Sequence, residues 1–190
     1  MSIFKNLLKP KKFMKTTKLL TTIGFAMVML FATQVNAQKF PGLDKSPMDV
    51  ALYRTDRNAA PLAKVVYSRP QLNGRSLSSL APEGKVWRTG ANESTEITFY
   101  KDATIGGKSV KAGTYTMFTI PGEKEWTVIL NSDTNTWGSY AYDESKDVVR
   151  VMASVTSDSE SLEAFAVAFD KDGTLYLGWD KVRVAVPTFK

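Results

Sequence analysis

The sequence predicts an all-β fold, a single antiparallel β-sandwich of the jelly-roll or immunoglobulin-like kind. Three observations lead there. Apolar residues alternate with polar ones in short runs, the period of a half-buried strand. Gly, Pro, Asn and Asp punctuate those runs at close intervals. No stretch after residue 37 carries the apolar spacing of a long amphipathic helix. About ten short strands and no dividing linker place one domain over 47–190, after an irregular polar arm at 38–46.

The elements follow in order. Pro47 to Tyr53 reads as a first strand, and the Asp, Asn and Pro of Thr55 to Pro61 as a loop. Leu62 to Ser68 is a strand with Val65 and Tyr67 on one face and Val66 on the other. Arg69-Pro70 ends it, because proline cannot donate to a ladder. Asn73-Gly74-Arg75 is a turn, and Leu77 to Leu80 is one helical turn. Val86 to Tyr100 reads as strand, turn, strand, with Gly90 and Asn92 supplying positive φ in the turn and Ile97 and Phe99 facing the core. Ile105-Gly106-Gly107-Lys108 is a hairpin turn. Thr114 to Ile120, with Tyr115, Met117 and Thr119 on one face, pairs with Glu125 to Leu130, where Trp126, Val128 and Leu130 alternate. Asn131 to Tyr142 is a polar-aromatic loop. Val148 to Val155 and Leu162 to Phe169 are separate strands. Asp172-Gly173 turns the chain into two more, Thr174 to Trp179 and Val182 to Val186.

Residues 1–37 read as a secretory leader. Lys15 and Lys18 flank an apolar run from Leu19 to Ala32, and Val35-Asn36-Ala37 is a small-residue cleavage site. Met14 is itself a normal start for such a leader. The chain is therefore expected to be exported, to the periplasm or beyond, with no membrane span after cleavage. The leader holds six lysines and no acid. Its removal takes the basic count from 25 to 19, equal to the 19 acidic residues. The basic balance of the whole chain is thus a property of the leader, and no nucleic-acid partner is expected.

The chain has no Cys and no His. That removes Ser-His and Cys-His nucleophiles and zinc sites built on those ligands. No cofactor is expected. Asn131, Asp133 and Asn135 alternate like the start of a calcium loop, but the glycine and the glutamate that such a loop needs further on are missing, so no metal is assigned there.

The densest chemistry lies in Val86 to Glu96. Trp87 offers a flat face, and Arg88, Asn92 and Glu93 offer donors and acceptors for a ligand, with Arg75 and Trp137 as further binding candidates. Arg69 and Tyr140 join them if the flanking motifs pack together. The structural alternative pairs Arg88 with Glu93 or Glu96 in a half-buried ion pair. Glu93 and Glu96 are the catalytic candidates for a carboxylate-based hydrolase, although three-residue spacing on a strand sends them to opposite faces.

Four ordered motifs carry a resemblance. They are Y-S-R-P-x-x-x-G-R from Tyr67, V-W-R-T-G-A-N-E-x-T-E-I from Val86, A-G-T-Y-x-x-F-T-I-P-G from Ala112 with E-W-T-V-I from Glu125, and W-G-x-Y-x-Y-D from Trp137. Together they resemble domain of unknown function family 2911, found in exported proteins of Bacteroidetes-type bacteria. The chain departs from the pattern at Ala81-Pro82-Glu83, where an aromatic or apolar residue is expected. The resemblance implies fold and compartment and carries no activity. The function expected from the residues is a non-enzymatic binding module for a glycan, peptide or cell-envelope component. A carboxylate-based hydrolase and a purely structural or interaction domain are the alternatives.

Overall fold

The computed structural model describes residues 37–189, so residues 1–36 of the expected leader lie outside the described residues. Within the unit from Leu43 onward, nine strands are described. Seven form one antiparallel sheet in the order β1-β2-β3-β6-β7-β8-β9: β1 (Met48–Tyr53), β2 (Ala63–Ser68), β3 (Glu96–Phe99), β6 (Gly113–Ile120), β7 (Glu125–Asn131), β8 (Asp147–Phe169) and β9 (Leu175–Val186). β4 (Ala103–Ile105) and β5 (Lys108–Val110) form a separate hairpin around the expected Gly106-Gly107 turn. The single helical turn, α1 (Leu77–Leu80), begins at Ser76, whose hydroxyl accepts from Ser79 N. Among the described residues no helix is long and apolar enough to cross a membrane.

The sheet curls until it packs on itself, as an all-β sandwich or half-barrel. The end of β2 runs on past Arg69-Pro70 and meets the far half of β8. Phe165 N donates to Pro70 O (2.9 Å), Leu72 N to Glu163 O (2.9 Å), and Val167 N to the Tyr67 hydroxyl (3.1 Å). Alternation puts Val65, Tyr67, Ile97, Phe99, Met117, Trp126, Val128 and Leu130 inward, and all are buried.

Two expectations are corrected here. The pair of strands read at Val148 to Val155 and Leu162 to Phe169 is one 23-residue strand, and the last two strands are likewise one. The polar run Thr156 to Ser161 looks like a loop because it is exposed on both faces, yet it stays in the hairpin. The ladder slips register between Ser157 and Leu162 and again between Leu162 and Ala166, and such irregularities let one strand bend between two layers. Before the central turn there is no full strand: Trp87 makes an isolated bridge to Thr119, and the ladder of β3 begins only at Glu96.

β6 is buried on both faces from Thr116 to Thr119. Its inner face meets the core, and its outer face is roofed by the 131–147 loop, where Tyr142 packs edge-on against Phe118 (5.1 Å between centroids).

Candidate functional site

The central turn is held by threonines. Thr95 Oγ1 donates to Thr89 O (2.7 Å) and Thr89 Oγ1 to Thr119 Oγ1 (3.1 Å), all within the buried interior. Thr89 takes a φ of +55° and Asn92 one of +58°, so the left-handed positions are not at the glycine. A β-branched residue there is strained, by about 1–3 kcal/mol, and such strain gathers at functional sites. Gly90 serves a different need. A Cβ at this position would lie 3.0 Å from Thr95 Oγ1 and 3.1 Å from Ser68 O. Gly90→Ala is therefore expected to lower stability by about 1–2 kcal/mol, read as a drop in the urea midpoint at unchanged m-value.

The turn is zipped to the polar-aromatic loop. Glu93 bridges Trp137, Ser94 N donates to Thr136 O (3.0 Å), and Gly138 N donates to Asn92 O (3.0 Å). The buried Ser94 hydroxyl donates to Gly138 O, and Ser139 Oγ donates to Val86 O (3.2 Å). Gly138, at φ +70°, leaves room for the Tyr140 ring to fold back: a Cβ would sit 2.7 Å from it. Tyr140 then stacks on Trp137, with centroids 5.8 Å apart and planes inclined by 13°. Both rings remain open to solvent, Trp137 at 59% and Tyr140 at 81% exposure.

The loop's other end is tied by a polar knot. The Asp147 carboxylate, only 7% exposed, accepts from Asn131 Nδ2 (2.9 Å), the Tyr142 hydroxyl (2.7 Å) and Arg150 Nη1 (3.0 Å). Arg150 also pairs with Glu144 (2.9 Å). Loss of solvation, and then the hydrogen bond to Asp147, push the Tyr142 hydroxyl above its ordinary range. Asn131 Oδ1 accepts from Asp133 N (2.9 Å), and the Asp133 carboxylate pairs with Lys146 (2.6 Å). The residues that looked like the start of a calcium loop therefore shape this turn.

The candidates from sequence fall into four groups. Asn92, Glu93, Trp137 and Tyr140 come together at the corner. Trp87 does not join them. It is 6% exposed and stacks on Trp179 in the core, so it offers no open face. Arg69 pairs with Asp49 (3.1 Å), while Arg75 caps the carbonyls of Leu72 and Gln71 (2.9 and 2.8 Å). Arg88 is half-buried beside the corner, and the ion pair expected with Glu93 or Glu96 is not formed.

Glu93 and Glu96 are not turned to opposite faces. Glu93 precedes the strand, so alternation does not apply to it, and both residues border one groove of about 170 Å³ with Met48, Val66 and Thr136. Glu96 Oε1 accepts from Asn135 N (2.7 Å), which fixes the loop.

The family model described as "Protein of unknown function (DUF2911)" matches residues 46–188. The chain belongs to this family. No curated protein and no solved structure matched it. The DUF2911 match spans both halves of the corner, the 86–96 turn and the 131–147 loop, so the site described above lies inside the family's own domain.

Sequence reasoning missed the supports of this site. Ser94 and Asp147 look like ordinary loop residues, and their roles arise only when the loop docks. The W-G-x-Y spacing was the usable signal, since a glycine between two aromatics permits the fold-back.

Proposed function

We propose that this chain is an exported, non-enzymatic binding module, working in the periplasm or outside the cell. Its ligand is a glycan, a peptide or another envelope component, and a glycan suits the corner best. The observation that carries this reading is the Trp137–Tyr140 pair. Two large rings lie open on a loop pinned at both ends, next to Glu93, which bridges Trp137, and Asn92, whose side-chain amide donates to Asp44 Oδ1 (3.1 Å). A flat apolar surface next to fixed donors and acceptors fits the face of a sugar ring. Holding the rings in place beforehand lowers the ordering cost of binding. The leader pattern at residues 15–37 supports export.

The test is a thermal-shift and calorimetry panel of oligosaccharides and peptides on the full chain. Trp137→Ala is expected to weaken the responding ligand by about 30-fold or more, the size of an aromatic hot spot, while the melting temperature stays within a degree or two. If Trp137→Ala and Tyr140→Ala both bind as the wild type does, the corner is not the site. The hydrolase alternative draws its support from the groove that Glu93 and Glu96 share. It requires turnover that Glu93→Gln abolishes while binding survives.

A further inference from the structure

Four arginines of the described chain are half-buried: Arg69, Arg88, Arg150 and Arg183. Three have a carboxylate partner: Arg69 pairs with Asp49, Arg150 with Asp147 and Glu144, and Arg183 with Asp158. Arg88 has none among the described residues. Its Nε is enclosed without any hydrogen-bond partner, the one such side-chain atom among them. Enclosing a charged donor without a partner is costly, and such groups in folded proteins call for an explanation.

The surroundings supply one. Arg88 O accepts from Thr95 N (3.2 Å), and Val86 O accepts from Ser139 Oγ, so the backbone on either side of Trp87 is built into the corner. Trp87 turns inward to the core. Arg88, the next residue, is half-buried, so its side chain is partly open to solvent beside these backbone ties. The side chain keeps part of its surface in water while its Nε is enclosed.

The geometry points to Arg88 as an anchor for an oxyanion, a carboxylate or phosphoryl group carried by the ligand of the aromatic corner. This rests on the reading of that corner given above, but the anion site stands or falls separately. The planar fork of Nε–H and Nη–H matches two oxygens of such a group side-on. No carboxylate of the described protein competes for it. An acidic sugar, such as a uronate or a sugar phosphate, combines both demands: a ring face for Trp137 and an anion for Arg88.

The test follows the Arg88 Nε–Hε signal by 1H–15N NMR in the full chain, assigned by its loss in Arg88→Lys. Glucuronate, inorganic phosphate and glucose are titrated separately. The signal is expected to move saturably with glucuronate, with phosphate or with both, and to stay put with glucose; which anion moves it names the source. Arg88→Lys weakens that binding about tenfold or more, since it keeps the charge and loses the fork. Arg88→Gln abolishes it and leaves the melting temperature unchanged or higher. An unmoved signal in both anion titrations overturns the inference, and so does undiminished anion binding by Arg88→Gln. An Arg88 response that survives Trp137→Ala upholds the anion site and removes the aromatic platform. Neutral-sugar binding that depends on Trp137, with no Arg88 response, does the reverse.

Discussion

Trp87→Ala is expected to lower the unfolding free energy by about 3–5 kcal/mol, the range for emptying a large aromatic site in a packed core. The indole stacks on Trp179 of β9 at 5.5 Å with planes 18° apart. It also meets Trp126 of β7 at 6.0 Å and Phe165 of β8 at 5.2 Å, both near-perpendicular. Three strands therefore lose a shared partner at once. A domain of this size holds only about 5–15 kcal/mol in total, so the variant sits near the edge of folding. Urea unfolding followed by tryptophan fluorescence checks it, with Trp87→Phe expected to recover more than half of the loss. A cost below about 1 kcal/mol would mean that the indole is not packed as described and would return Trp87 to the ligand candidates.

Asp147→Ala is expected to cost about 2–3 kcal/mol and to loosen the 131–147 loop. Its carboxylate takes three donors in a nearly closed environment, and one of them is the charged Arg150. The loss stays below that of a fully buried pair because Arg150 is 34% exposed and retains Glu144. Amide exchange is the direct readout: residues 132–146 are expected to lose protection while β2 and β3 keep theirs. Ligand binding should weaken as well, because the Trp137–Tyr140 pair rides on this loop. Unchanged protection would show that the loop is held from the Ser94 side alone. The same knot gives an alkaline limit. The Tyr142 hydroxyl titrates higher in the folded chain than in the unfolded one, so its contribution is complete below about pH 10 and is lost as pH rises through the folded value.

Period-two patterning reported the fold because the strands have one wet face. Val65, Tyr67, Ile97 and Phe99 could be assigned inward from spacing alone, and turn residues marked most strand ends. The pattern failed where both faces share one environment. Thr156 to Ser161 are wet on both sides and read as a loop, although they continue a strand. Phe118 and Ile129 are buried against the expected alternation, and spacing does not reveal that Tyr142 of the 131–147 loop covers Phe118. For the site, sequence proximity brought Asn92 and Glu93 into view, and the aromatic spacing brought Trp137. It also promoted Trp87, because an indole beside an arginine looks the same in a string whether it faces ligand or core. The half-buried state of Arg88 was anticipated, while its lack of a partner depends on side-chain directions that no local pattern encodes.

The contact between the end of β2 and the far half of β8 has a consequence in time. Arg69 Nε donates to Phe165 O across 96 positions of chain, and Tyr67 meets Val167 across 100. A growing polypeptide cannot close its sheet until nearly the whole domain has emerged, so the segment that follows β2 must wait, unpaired, for the far half of β8. Topologies dominated by such distant pairings fold in about milliseconds to seconds, orders of magnitude slower than local helical ones. That delay is the interval in which the apolar residues of β1 and β2 are open to any holding partner that meets the nascent chain first.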